Sequence, residues 1–408
     1  MKADTLITGI SQLVTATGVG PKRGIAMREL RIVESAAIAM SSGLIVWMGR
    51  GSEWVGKAEA TVDAGHRAVV PGLIDPHTHA VWAGDRLADF EARTSGSTYE
   101  KILAAGGGIR TTIRATTAAS RDDLVAMAKP RIDSLVASGA TTIEVKSGYG
   151  LTPAAELAML EAIQSLSTIS PARIIPTLLI HVPPAIAADR FSYMKQICEE
   201  LVPEVAKRKL ATAVDIFIEE EAWHVPEAEQ LFDCAKQHHL AIKLHSDQFH
   251  CIGGVELGIR VGALSIDHLE ASGPEQIKKI AGSPTIATLL PGVSLHLGIP
   301  AAPGRKLIDA GAAVAVGTDL NPGSSPLFSI SEALALAVRL NGLTAQEALV
   351  AGTINAAYAL GIRNAGRLEI GCAADLLVLH GSDWRELVYA LGTNPVRDVW
   401  IGGKRVNR

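Results

Sequence analysis

The 408-residue chain has only four cysteines, Cys198, Cys234, Cys251 and Cys372, and no Cys-x-x-Cys pair. That scatter excludes a cysteine zinc knot and a disulfide framework, and it suits reduced thiols in a cytosol. Charge is scarce as well: charged residues make up 20% of the chain and the formal net charge is -4. No basic face follows, which argues against nucleic acid as a partner. No uninterrupted apolar run reaches ~18 residues, so no membrane span is expected. The opening Met1-Lys2-Ala3-Asp4-Thr5 lacks the apolar core of a signal peptide, and a cytosolic location is expected. What abounds is Ala, Leu, Ile and Val, with 48% hydrophobic residues and a mean hydropathy of +0.24, as a buried parallel sheet requires. The length accommodates one large α/β domain and a smaller one.

The stretch Val69-Val70-Pro71-Gly72-Leu73-Ile74-Asp75-Pro76-His77-Thr78-His79 organises the chain. Its β-branched run reads as a buried strand, and Pro71 and Gly72 exclude a helix. His77 and His79 stand two apart, so both imidazoles project from one face, half of a metal site. Further strand-like runs occur at 141–146, 173–180, 213–218, 240–245, 263–267, 285–290 and 312–317. Helix-like segments separate them. Arg121 to Ser138 has apolar residues at helical spacing, Ser120 and Asp123 resemble a capping box, and Gly139 stops it. Ala154 to Leu166 and Pro226 to Gln237 are similar. The alternation predicts an α/β fold, a (β/α)8 TIM-like barrel over residues 69–350. Residues 1–68 read as short strands, including a hairpin about Ser41-Ser42-Gly43, and residues 351–408 end in Gly-punctuated strands. Together the two termini are expected to build a small β-sandwich domain.

Chemistry in such a barrel sits at the carboxyl ends of the strands. Five of the twelve histidines fall there: His77, His79, His181, His245 and His268. The eighth strand ends in Thr318-Asp319. A strand-end histidine alone is an ordinary polar turn residue, but the joint pattern on strands one, five and eight points to a metal site. His77, His79, His245 and Asp319 form a donor set suited to Zn²⁺ or a similar first-row ion, with room for a water. Asp319 is placed to take that water's proton. His268, on strand six beside strand five, can polarise a carbonyl or stabilise an oxyanion.

This constellation resembles the amidohydrolase superfamily in its one-metal form. The carboxylated lysine of two-metal members stands on strand four, where this chain has Glu219, and Lys146 lies on strand two. Deaminases of that superfamily carry His-x-x-Glu on strand five. Here the stretch is His245-Ser246-Asp247-Gln248, and a glutamine amide carries no proton, leaving Glu219 as the only stand-in. Gly106-Gly107-Gly108-Ile109, Glu144 to Leu151, Ser265 to Glu270 and Gly317 to Pro326 are together similar to the imidazolonepropionase family, with the similarity running over roughly 65–380.

The resemblance implies hydrolysis of the cyclic amide of 4-imidazolone-5-propanoate to N-formimidoyl-L-glutamate, one Zn or Fe ion, a cytosolic location and a homodimer. It also implies site residues. Arg86 matches a carboxylate-binding arginine, Tyr149 and Tyr99 match substrate-binding tyrosines, and His181 a substrate-contacting histidine. Gln248 matches a partner for the ring, and Asn321, Gly323 and Ser324 would line the same pocket. Two departures stand out: His181-Val182-Pro183-Pro184-Ala185 lacks a residue and a glutamate found in many members, and Gln248 stands where some have glutamate. The alternative is another cyclic-amide hydrolase or a deaminase on the same barrel.

Overall fold

The computed structural model describes residues 1–16, 18–97, 106–184 and 189–406. Twelve strands precede the C-terminal segment. They are β1 (Lys2–Ala16), β2 (Leu30–Ser41), β3 (Leu44–Arg50), β4 (Lys57–Pro71), β5 (Leu73–Asp75), β6 (Ala140–Lys146), β7 (Arg173–Ile180), β8 (Ala213–Ile218), β9 (Ala241–Ser246), β10 (Ser265–His268), β11 (Ile286–Leu289) and β12 (Ala313–Val316). Three more follow: β13 (Leu376–Leu379), β14 (Val396–Ile401) and β15 (Lys404–Arg405).

β5 to β12 form one eight-stranded sheet in sequential order, each pair parallel. Its two ends meet just past the strands. Thr78 bridges Leu320, Asp319 N donates to His77 O at 3.0 Å, and His79 N donates to Leu320 O at 2.9 Å. The Asp75 carboxylate strengthens the seam, accepting from Thr318 N at 3.1 Å and Thr318 Oγ1 at 2.6 Å. The expected barrel is therefore present. Its strands are buried on both faces, the residues of β12 (Ala313-Val314-Ala315-Val316) having no exposed member, because helices cover the outside. The helix Arg121–Ala137 carries the Ser120–Asp123 capping box, and Gly139 beyond it takes φ +108°.

The other sheet has the order β15-β14-β13-β4-β1-β2-β3 and draws on both termini. The expected sandwich is this one sheet curled over itself. Leu44 of β3 bridges Ala373, and Ile7, Met40, Ile45, Val69, Leu376 and Trp400 share one apolar cluster. β2 and β3 are the anticipated hairpin, with Ser41 opposite Leu44 and Ser42 and Gly43 both at positive φ. β1 and β4 are longer than short strands, 15 residues each. A bulge in β1 between Ile7 and Ile10, with Gly9 at φ +64°, lets it bend with the curl.

The run Val69–Asp75, read from sequence as one barrel strand, divides between the sheets. Val69 to Pro71 pair with β13, while Leu73 to Asp75 pair with β6. The crossing falls at Gly72, where a Cβ would sit 2.4 Å from Thr141 Oγ1, so only glycine fits. Among the described residues no helix is long and apolar enough to cross a membrane.

Candidate metal centre and active site

His77 and His79 project together because their backbone continues extended beyond β5. It is held between Lys146 N, which donates to Thr78 O at 3.0 Å, and the residues after β12. His245 comes from β9, and Asp319 follows β12 at φ +52°. Asp319 Oδ1 lies 3.3 Å from His77 Nε2 and 3.2 Å from His79 Nε2, and His79 Nε2 lies 3.4 Å from His245 Nε2. All four side chains are buried. Among the described residues, His77 Nε2 and Asp319 Oδ1 have no hydrogen-bond partner despite their burial. Donor atoms on a shell ~2.0–2.2 Å from a Zn²⁺ ion are separated by roughly 3–3.5 Å, the range of these three separations; among the described residues, donor atoms of His77, His79 and His245 lie within 4.8 Å of one another, as do those of His77, His268 and Asp319.

The electrostatics agree. Burial and the Lys146 charge disfavour a charged His77, but Asp267 and Asp319 outweigh them and lift its pKa to about 9. Burial favours charge-free Asp319, yet the His77 and His79 imidazoles, 3.3 and 3.2 Å away, hold it well below the usual carboxylate range. Burial holds His245 well below an ordinary histidine, in the neutral form that ligates. A site whose carboxylates favour a proton on His77 favours a metal cation for the same reason.

Beneath these donors lies a charged layer. His77 Nδ1 faces Asp267 Oδ2 at 2.7 Å, and His245 Nδ1 faces Asp215 Oδ1 at 2.9 Å. Each carboxylate fixes its ring with Nε2 toward the centre. Lys146 Nζ is 2.7 Å from Asp215 and 2.8 Å from Glu144, while Lys243 Nζ is 3.4 Å from Glu144 and 3.5 Å from Asp267. Both lysines are almost fully buried. The roles of Asp215, Asp267, Glu144, Lys146 and Lys243 were not anticipated from sequence. A signal existed: Glu144 and Lys146, then Lys243 and His245, are charged or polar at i and i+2 within apolar strands. Buried charges at one face of a strand must find partners inside the barrel.

The remaining candidates surround this centre. The His268 ring centroid is 5.3 Å from that of His245 and 5.8 Å from that of His77. His181 stacks on His79 at 5.4 Å and an interplanar angle of 19°, and burial pushes its pKa down to about 3. Tyr149 lies 5.5 Å from His181 and 6.0 Å from His79. Its loop is clamped by the buried Glu156 carboxylate, which accepts from Gly148 N at 2.8 Å, Gly150 N at 2.7 Å and Leu151 N at 3.0 Å. A Cβ on Gly150 would come within 2.5 Å of Glu156 N, so the clamp requires glycine there.

Asn321 and Ser324 act on Asp319 itself. Asn321 Nδ2 donates to Asp319 Oδ2 at 2.9 Å and to Ser324 Oγ at 2.9 Å. Oδ1 is thereby left to face the histidines. Asn321 Oδ1 accepts from Gly323 N and Ser324 N, both at 2.8 Å, which shapes the turn. The Arg86 guanidinium rests against Gly323, where a Cβ would meet Nη1 at 3.1 Å, and it pairs with Asp89. Gln248 is nearly buried in the loop after β9. Tyr99 lies outside the described residues. Glu219 accepts from Phe249 N at 2.9 Å, His250 N at 3.1 Å and His250 Nδ1 at 2.8 Å. Its oxygens hold the loop after β9.

Residues 68–406 match the Amidohydrolase family. An imidazolonepropionase of Deinococcus deserti is 60% identical over 99% of this chain and 100% of its own length. One of Deinococcus radiodurans is 58% identical over the same shares. Among solved structures, a zinc-bound adenosine deaminase from Xanthomonas campestris shares the fold. Its TM-score is 0.74 at 19% identity, covering 99% of this chain and 93% of that one.

Proposed function

This chain belongs to the amidohydrolase family, among the imidazolonepropionases, and from that premise we propose that it opens the ring of 4-imidazolone-5-propanoate to give N-formimidoyl-L-glutamate. One observation carries the reading at the level of chemistry: three histidines and an aspartate converge with unpartnered donor atoms, and a fourth histidine stands beside them.

His77, His79, His245 and Asp319 would hold one ion, Zn or Fe, since N and O donors serve both. Such an ion, when bound, supplies Lewis acidity that lowers the pKa of a coordinated water toward ~7. The chain's own residues do the rest. Arg86 grips the propionate carboxylate with its guanidinium. Tyr149, His181 and Gln248 orient the ring, and Asn321 and Ser324 keep Asp319 turned toward the reacting water. Water oxygen adds to the ring carbonyl carbon, and Asp319 takes the proton released. His268 faces the oxyanion that develops. As the C–N bond breaks, Asp319 returns the proton to the leaving ring nitrogen, and the former carbonyl becomes a carboxylic acid that releases its remaining proton to solvent as it ionises. A deaminase reading finds less support, because Gln248 carries no proton and Glu219 is engaged by backbone N–H groups. A cytosolic homodimer is the proposed working form.

The test is the absorbance decay of freshly made imidazolonepropionate with purified protein, before and after chelation. Decay above the spontaneous rate, lost on chelation and restored by Zn²⁺ or Fe, is expected. A metal-loaded protein that leaves the decay at its spontaneous rate would overturn the substrate assignment.

A further inference from the structure

Three histidines of this site face a carboxylate through Nδ1. Two are the His77–Asp267 and His245–Asp215 pairs. The third is His268, whose Nδ1 lies 3.4 Å from Glu270 Oε2, with both side chains 3% exposed. Among the described residues, neither oxygen of Glu270, nor His268 Nδ1, has a hydrogen-bond partner elsewhere. A carboxylate taken wholly out of water with nothing else to accept is costly, and the imidazole N–H is the donor within reach.

The backbone is bent to make this approach. His268 has φ +86° and Leu269 φ +72°, two consecutive non-glycine residues in the left-handed region. L side chains resist that conformation, and surrounding structure must hold it. Leu269 N donates to Ser246 O at 3.1 Å and Ala271 N to Asp247 O at 2.7 Å, pinning the turn against the end of β9. The turn folds Glu270 back beside the ring that precedes it by two residues.

We propose that Glu270 is a positioning residue: its carboxylate accepts the Nδ1 proton of His268, fixes the tautomer and presents Nε2 to the substrate carbonyl. The consequence for turnover rests on the role given to His268 above, whereas the pairing itself does not. With Nδ1 committed to Glu270, the ring has one orientation, and the same nitrogen meets every substrate molecule.

Two measurements test this. The first is a ¹⁵N spectrum of the zinc-loaded, histidine-labelled protein, with the His268 signals assigned by comparison with His268→Gln. A proton on Nδ1 is expected; a neutral ring protonated only on Nε2 would overturn the pairing. The second is steady-state kinetics of Glu270→Gln at matched metal content. A kcat lower by ~10–100-fold with KM little changed is expected, and Glu270→Asp should recover part of it. A kcat equal to the parent's would show that Glu270 only fills space. If Glu270→Gln does not fold, the parent spectrum decides alone. If the parent leaves imidazolonepropionate untouched, the functional reading fails while the spectrum still judges the pairing.

Discussion

Replacing Lys146 with methionine tests the charged layer under the proposed metal donors. Methionine is close in volume, so the change removes a charge without opening a large cavity. Lys146 Nζ touches Glu144 at 2.8 Å and Asp215 at 2.7 Å, and it is 3.9 Å from Asp267. Burial alone would strip its proton, but Asp215, Glu144 and Asp267 outweigh burial and raise its pKa above the ordinary lysine value. Lys146→Met leaves those carboxylates buried and short of a partner, with Lys243 compensating Glu144 only from 3.4 Å. Breaking a buried pair from one side costs about 3–5 kcal/mol. At ~2 °C per kcal/mol for a chain of this size, the thermal midpoint should fall by about 6–10 °C. Circular dichroism melts of metal-loaded and chelated protein would measure it. The double variant Lys146→Met/Asp215→Asn should be more stable than the sum of its parts by ~0.5–3 kcal/mol, because the stranded carboxylate is gone. A single variant melting within about 2 °C of the parent would refute the view that this network is a coupled unit.

Other substitutions separate the roles assigned above. Arg86→Ala removes a charge-assisted grip worth ~1.5–3 kcal/mol, so KM for imidazolonepropionate should rise roughly 10–100-fold; an unchanged KM removes Arg86 from the carboxylate site. His268→Ala should keep its metal by elemental analysis and lose turnover by ~10²–10⁴-fold, and near-normal turnover would sink its role at the oxyanion. Glu219→Gln should keep kcat within about fivefold while loosening the loop after β9, and a loss beyond ~100-fold would restore Glu219 as a proton carrier.

Much of the candidate site was legible because its proposed donors obey local rules. His77 and His79 share a face by the two-residue period of an extended chain, whatever else the fold does. Asp319 and His268 stand at strand ends, where barrel chemistry gathers. The carboxylates behind them were harder to see. Asp215 lies within β8 and Asp267 within β10, and nothing local says which histidine each will meet. Their pairing crosses 30 and 190 residues of chain. Glu270 was hidden differently: on a regular strand it would not fold back on His268, and only the left-handed turn makes it do so.

Periodicity and punctuation alone determined the barrel, its helices, the terminal hairpin and the strand ends where the proposed ligands stand, since hydrophobic spacing and turn residues act over a few positions. Tertiary structure decided the rest. It placed the break of Val69–Asp75 at Gly72, where Thr141 leaves no room for a side chain. It set Asn321 behind Asp319 and sealed the barrel through Thr78 and Leu320. These outcomes depend on which distant atoms compete for one buried space and one hydrogen bond, and only the assembled fold brings those atoms together.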